Sequence, residues 1–198
     1  MILFLFLQII EYDTETGHCN PDTFSIPDGV TTIYSFSFFG CDTFTGVLNI
    51  PKSVKNIESF SFYHCSGFTG SLIIPNSVTY IGTGAFTGCS GFNGTLKIPD
   101  SVTCIESFAF SWCSGFKGSL ILPKKLKEIT DYCFNGCTGF NGILKMKKKV
   151  KIIKKFAFTN CSNFCGELKL SKSVQKIECY SFSGCSGFCG QLKIPKNV

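Results

Sequence analysis

Apolar and polar positions follow nearly the same order in one stretch of the chain after another. From Ile26 to Val198 the pattern returns every 24 residues without insertion or deletion, through seven complete repeats and five residues of an eighth. Four apolar columns never vary: isoleucine from Ile33 to Ile177, phenylalanine from Phe38 to Phe182 and again from Phe44 to Phe188, and leucine from Leu48 to Leu192. A fifth column is all cysteine, Cys41 to Cys185, and a sixth all glycine, Gly46 to Gly190. A unit this short cannot bury its own apolar residues, so successive units must stack as coils of a solenoid around one continuous core.

Within a coil, Gly70-Ser71-Leu72-Ile73-Ile74-Pro75 alternates as a short strand should, with Leu72 and Ile74 inward and Ser71 and Ile73 outward. The proline ends the ladder because it has no N–H to donate. Val78-Thr79-Tyr80-Ile81 is also extended in tendency, and Gly84 to Cys89 must then turn back, which predicts a helical or 3-10 turn. Ser90-Gly91-Phe92-Asn93-Gly94 makes the last corner, with glycine accepting positive φ. The expected fold is a leucine-rich-repeat-like right-handed coil, with a parallel β-sheet on one face and short strands and turns on the other.

The pattern I-P-x-S-V-x-x-I-x-x-x-A-F-x-x-C-S-G-F-x-G-x-L, clearest from Ile74 to Leu96 and from Ile98 to Leu120, resembles the BspA-like class of leucine-rich repeats. The resemblance covers Phe24 to Val198. It departs from the commoner leucine-rich pattern in keeping one invariant leucine per coil, with Phe, Ile and Cys in the other inward slots. What it implies is a surface or secreted protein of the kind found in bacteria and anaerobic protists, with a role in adhesion to host matrix or to other cells.

Residues 1–23 stand apart from the repeat domain at 24–198. The run Met1 to Ile10 is too short for a membrane-spanning helix, which needs about 20 apolar residues, and no other span follows. It reads as a partial signal peptide, a capping strand or the remnant of an incomplete start. At the other end the chain stops in mid-repeat at Ile194-Pro195-Lys196-Asn197-Val198, which predicts a fragment or an end that pairs with another chain by end-to-end self-association.

Composition adds redox and charge to this picture. With 44% hydrophobic residues the chain is not disordered, and the 22 Phe and 13 Cys follow from the copied pattern. Column cysteines read as small inward hydrophobes, because side chains stacked in parallel do not point at one another as a disulfide requires. Cys104, Cys133 and Cys179 lie outside the column. Cys165 and Cys189 share a corner slot on adjacent coils and form the candidate disulfide. No metal site is expected: Cys161-x3-Cys165 and Cys185-x3-Cys189 lack a second matched pair or a nearby His. His18 and His64 have no nucleophile implied beside them, and Glu58, Glu106 and Glu178 are two or three coils apart, so no catalytic residues are expected. The recurring S-G-F-x-G is a corner and not a phosphate loop, and no cofactor motif is present. Of the sequons Asn93-Gly94-Thr95 and Asn160-Cys161-Ser162, Asn93 is the better glycosylation candidate, since Asn160 precedes an inward cysteine.

Charge is where the copies differ most. Residues 1–116 hold three Lys and nine acids, net −6, whereas residues 117–198 hold sixteen Lys and four acids, net +12. Lys145, Lys169 and Lys193 occupy the outward strand slot in a column that begins at Lys97, while Lys124, Lys148, Lys172 and Lys196 follow the proline slot. These two rows form a basic strip. It is either a solvated surface that discourages edge aggregation, or a docking site for anionic glycans, acidic proteins or anionic lipid. Nucleic acid is not expected, because the chain has no Arg and no exposed aromatics that the pattern places beside the strip. The sequence therefore points to a non-catalytic domain binding a protein or an anionic glycan, at the cell surface or secreted. The alternative is a cytoplasmic interaction scaffold, which the odd cysteine count would suit.

Overall fold

The computed structural model describes residues 24–198, a parallel solenoid without helices among them. Residues 1–23, with the terminal apolar segment and His18, lie outside the described residues. Coils 1 to 7 begin at Ile26, Ile50, Ile74, Ile98, Leu122, Met146 and Leu170. Two stacks of very short strands run along the axis. One consists of Thr32–Ile33, Asn56–Ile57, Tyr80–Ile81 and Cys104–Ile105, continued by a second sheet of Glu128–Ile129, Ile152–Ile153 and Lys176–Ile177. Each strand pairs in parallel with its neighbour 24 residues away, so isoleucine lies on isoleucine.

The leucine strands behave differently from expectation. They do not make one sheet but pair two coils at a time: Leu72–Ile73 with Leu96–Lys97, and Leu120–Ile121 with Leu144–Lys145. The reason lies in the invariant glycines. Gly70, Gly118 and Gly166 are left-handed, near φ +75°, whereas Gly94 and Gly142 are not and are crowded instead. A Cβ on Gly94 would lie 2.4 Å from Ser71 Oγ, and one on Gly142 2.4 Å from Ser119 Oγ. Between Gly70 and Gly166 the column is thus glycine for two reasons that alternate from coil to coil, while at the two ends Gly46 and Gly190 are left-handed like their neighbours.

Inward columns become ladders. Phe86 stacks on Phe62 at 5.2 Å and on Phe110 at 5.4 Å between ring centroids, with planes within 4° of parallel. Phe92 and Phe116 stack similarly at 5.3 Å in the second column. From the second coil to the sixth both rings are fully buried, each burial stabilising the fold by about 1.5–3 kcal/mol. At the far end the outward shift of exposure is plain, with Leu192 and Ile194 more than half open to solvent.

Of the helical and 3-10 turns that the sequence allows for the segment closing each coil, the α-helical one is absent, and the within-coil bonds span three residues without running consecutively. Its N–H groups point alternately within the coil and across to the next one: Ala85, Thr87 and Cys89 donate to the carbonyls three residues back, whereas Gly84, Phe86 and Gly88 donate to Ser107, Ala109 and Ser111. Such alternation requires left-handed residues at two slots. The first holds Phe36, Phe60, Gly84, Phe108, Tyr132, Phe156 and Tyr180, all near φ +60°. The second alternates between large and absent side chains: Gly40, His64, Gly88, Trp112, Gly136, Asn160 and Gly184. The large side chain of one coil covers the glycine of the next. A Cβ on Gly136 would stand 2.6 Å from Trp112 Cε3, and one on Gly184 2.5 Å from Asn160 Oδ1.

This cover gives a direct test, because Trp112 is the sole tryptophan. Gly136→Ala places a side chain in the left-handed region and lifts the indole off, so it should cost about 1–2 kcal/mol. Thermal unfolding followed by tryptophan fluorescence should show a midpoint lowered by a few degrees and a shifted folded-state emission. An unchanged midpoint and emission would refute the packing.

Candidate ligand-binding surface

Because the columns are consumed by the core, what each coil offers to a partner is its outward slots. On the leucine-strand side the residue between the two inward positions points outward, so Lys97, Lys145, Lys169 and Lys193 all stand exposed. Ile73 and Ile121 occupy the same slot in coils 2 and 4 and are about half exposed, so the lysine row is interrupted by apolar residues. Lys145 and Lys169 form a parallel bridge, which brings their backbones into direct register. The second row, Lys124, Lys148, Lys172 and Lys196, is also exposed, at the tip of the turn after the strand. Both rows therefore lie where the sequence puts them.

Two open depressions lie on this side of the solenoid. The one near its start is lined by Val47, Ile50, Lys52, Ile73, Pro75 and Asn76, with a volume near 640 Å³. The one near its other end, with a volume near 770 Å³, is lined by Leu168, Lys169, Lys172, Lys193, Pro195 and Lys196. The first holds Lys52 among apolar and neutral side chains, whereas the second gathers four lysines. Ion pairs neutralise little of the charge: Lys124 reaches Asp100 at 3.3 Å and Lys169 reaches Glu167 at 3.4 Å. The Lys124 N–H also donates to Asp100 Oδ1, and this hydrogen bond, ahead of the ammonium charge, holds the Asp100 carboxyl below its ordinary value.

The isoleucine-strand side is balanced. Lys154 meets Glu128 at 3.0 Å and Lys176 meets Glu178 at 2.6 Å. Hydrogen bonding to Glu128 raises the Lys154 ammonium, and hydrogen bonding from Lys176 lowers the Glu178 carboxyl. Glu58, Glu106 and Glu178 are partly buried in one slot along this side, at the separations expected from the repeat.

Sequence reasoning missed a third surface. The first left-handed slot makes an exterior aromatic ladder, with Phe108, Tyr132, Phe156 and Tyr180 stacked at 4.6 to 5.0 Å. Phe36 and Phe60 stack at 5.3 Å before a break at Gly84. Trp112 and Tyr180 are both more than half exposed. The signal was present, since the slot reads Phe, Phe, Gly, Phe, Tyr, Phe, Tyr, but a helical turn would not have aligned those rings outward.

The cysteine column has a chemistry of its own. Each Sγ–H donates to the carbonyl of the phenylalanine in the preceding coil: Cys89 to Phe62, Cys113 to Phe86, Cys137 to Phe110 and Cys161 to Phe134, all at 2.9 to 3.0 Å. That carbonyl already accepts a backbone N–H, as in Cys89 to Phe86, so the thiol takes its second lone pair. Burial pushes the Cys65 thiol from its ordinary 9.0 up to about 12 and also raises Cys89, Cys113 and Cys137 well above it. Cys161 is raised by its hydrogen bond with Cys185 and by burial. Cys41, by contrast, is disulfide-bonded.

Cys165 and Cys189 are exposed free thiols on adjacent coils, their N–H groups bonded to Gly142 and Gly166 in the same register. Asn93 is exposed, and its Oδ1, not the nitrogen that would carry a glycan, accepts from the Gly70 N–H at 2.8 Å. His64 lies over Gly88 and beside Tyr63. Among the described residues no three His, Cys, Asp or Glu side chains are grouped as a metal ion would require. No described helix is long and apolar enough to cross a membrane.

Stacked parallel strands, one leucine per coil and a shared ladder core define a leucine-rich repeat solenoid. The chain belongs to the BspA-type leucine-rich repeat family, whose profile of six copies matches residues 15–114 and 94–198. A crystal structure of a leucine-rich repeat protein from Bacteroides ovatus is similar, at 27% identity and TM-score 0.72, over 84% of this chain and 44% of the other. A leucine rich cell surface protein from Faecalibacterium prausnitzii is similar at 25% identity and TM-score 0.71, over 91% of this chain and 51% of the other. The chain thus spans about half the length of the solved proteins that it resembles. No curated protein matches its sequence significantly. The family and fold are those of repeat recognition domains, typically without catalysis.

The thiols yield a stability prediction. A thiol raised in the folded state loses its proton first in the unfolded chain, so its contribution is complete below the unfolded value near 9.0 and is lost as pH rises toward the folded value. The urea midpoint should hardly respond to these thiols below pH 9 and should fall steeply between pH 9 and 12. In the native protein Cys165, Cys179 and Cys189 should alkylate rapidly, and Cys89, Cys113 and Cys137 only on unfolding. Native labelling of Cys113 would contradict the assignment.

Proposed function

We propose that the chain is a non-catalytic recognition domain, displayed at the cell surface or secreted, that binds a protein or glycan along its leucine-strand face and the adjoining lysine rows. The observation that carries this reading is the division of labour within each coil. Invariant side chains are buried through the inner coils, while the outward strand slot changes from Asn49 and Ile73 to Lys145 and Lys169 on an unchanged backbone. A scaffold that fixes its core and varies one face suits binding of an extended partner. Likeness to a leucine rich cell surface protein supports the location.

A cytoplasmic interaction scaffold is the second reading, favoured by eleven free cysteines among the described residues, three of them exposed. The two separate on one preparation. Intact cells are treated with a membrane-impermeant, amine-reactive biotin, and the recovered protein is mapped by mass spectrometry. The surface reading expects biotin on Lys145 and Lys169 without lysis and a glycan on Asn93. Labelling only after lysis, with Asn93 bare, would establish the scaffold instead.

A further inference from the structure

The sixteen lysines after residue 116 are not spread around the solenoid: twelve crowd one corner. To the two rows of the strip the fold adds Lys125 and Lys149 in the next slot, Lys127 and Lys151 beyond the buried Leu126 and Val150, and Lys147 in the proline slot. The tip row and these added slots belong to the bend joining the leucine strand to the isoleucine strand, and Lys145, Lys169 and Lys193 stand on the strand that leads into it. Coils 3 and 4 hold Asn76, Asp100, Ser77, Ser101, Thr79 and Thr103 there, so the bend itself does not call for lysine.

Pairing separates this corner from the rest. Among the described residues only Lys124 and Lys169 of its twelve lysines form ion pairs, leaving ten uncompensated. Of the four lysines elsewhere in this half, Lys154 and Lys176 are paired. Coils rise about 4.8 Å, so neighbours in a row repel by on the order of 1 kcal/mol even in water. A face meant only to be solvated would disperse such charge or intersperse acids, as the isoleucine side does.

We propose that this corner binds a linear anionic polysaccharide, sulfated or carboxylated, laid along the solenoid axis across coils 5 to 7. The inference rests on the recognition reading above and names its ligand class. The rows run straight along the axis, and the tip row from Lys124 to Lys196 spans three coil rises, about 14 Å, which matches a polymer with regularly repeated charge. Lysine offers compact point charges suited to isolated sulfate or carboxylate groups, where Arg would favour bidentate pairing. Protein interfaces centre on aromatic or Arg anchors, and this corner carries neither. Bases would need stacking partners, yet the exposed rings sit on the closing turn, in a different slot of the coil.

Size-defined heparin oligosaccharides are the probe, titrated calorimetrically into the whole chain. Affinity should rise with length until the oligosaccharide spans about 14 Å and then level off, and should fall as salt increases. Replacing Lys148, Lys149 and Lys172 by Gln should weaken binding by about tenfold or more and flatten the salt dependence, whereas Lys154→Gln with Lys176→Gln should change it less than about twofold. Acetylation footprinting of the unaltered protein should show Lys148, Lys149 and Lys172 protected by heparin and Lys154 unprotected. A disaccharide binding as tightly as longer chains, equal losses from the two variants, or stronger binding to phosphatidylserine vesicles or single-stranded DNA would overturn the proposal. Surface biotinylation that persists without any heparin binding would remove this ligand and leave the recognition reading standing.

Discussion

Backbone hydrogen bonding between coils fixes everything else in this molecule. Strand N–H groups and alternate N–H groups of the closing turn all find carbonyls one coil away, as in Gly82 to Ile57 and Phe86 to Ala109, both at 2.8 Å. That sets the axial rise near 4.8 Å and obliges each side chain to lie on its counterpart in the next coil. Ring ladders follow at once, because a phenylalanine at this spacing stacks on itself with little offset to choose. So does the cysteine column: only a small side chain with a donor fits beside stacked rings and reaches a carbonyl in the preceding coil. Serine would bring the donor but not the apolar bulk, and alanine would leave the carbonyl with a single partner.

The same spacing explains why the repeat is doubled at its corners. Two bulky side chains cannot occupy the second left-handed slot on adjacent coils when each lies across the backbone of the next. His64, Trp112 and Asn160 therefore alternate with glycine, and from Gly70 to Gly166 the invariant glycines alternate between left-handed and crowded. This two-coil rhythm is what interrupts the leucine sheet, since paired corners leave strands matched within a pair and mismatched between pairs. The isoleucine strands, far from those corners, keep nearly continuous pairing.

Much of this was legible in the sequence. Column identity gave the solenoid, the inward and outward alternation of Leu72, Ile73 and Ile74, and the placement of the lysine rows, because all depend only on period. What could not be read was backbone handedness. Phe108 and Trp112 give no sign that they are left-handed, since isolated residues avoid that region and only the cross-coil hydrogen bonds of the closing turn enforce it. From that one conformational fact came both misreadings, the helical turn and the unplaced aromatics. The alternation of Gly with large residues in their slot was visible, but its meaning depends on a side chain reaching across to the next coil.

Function then falls to the positions that stacking leaves alone, and those positions are themselves under an electrical constraint. Ladder geometry amplifies any outward choice, since a charge repeated in one slot meets its like at every coil. Neutral residues and the single acid Asp100 avoid the cost in the bend of coils 3 and 4, and opposite charges avoid it at Lys154 with Glu128. The corner after residue 122 does neither, although the same backbone accepts Asn76 and Ser77 at equivalent positions. Fold stability gives no reason for that concentration, and solubility would be served as well by dispersed charge. An external partner that brings its own regularly spaced negative charge supplies the missing half of the ladder, and so accounts for why this corner, alone among the outward surfaces described, is left unbalanced.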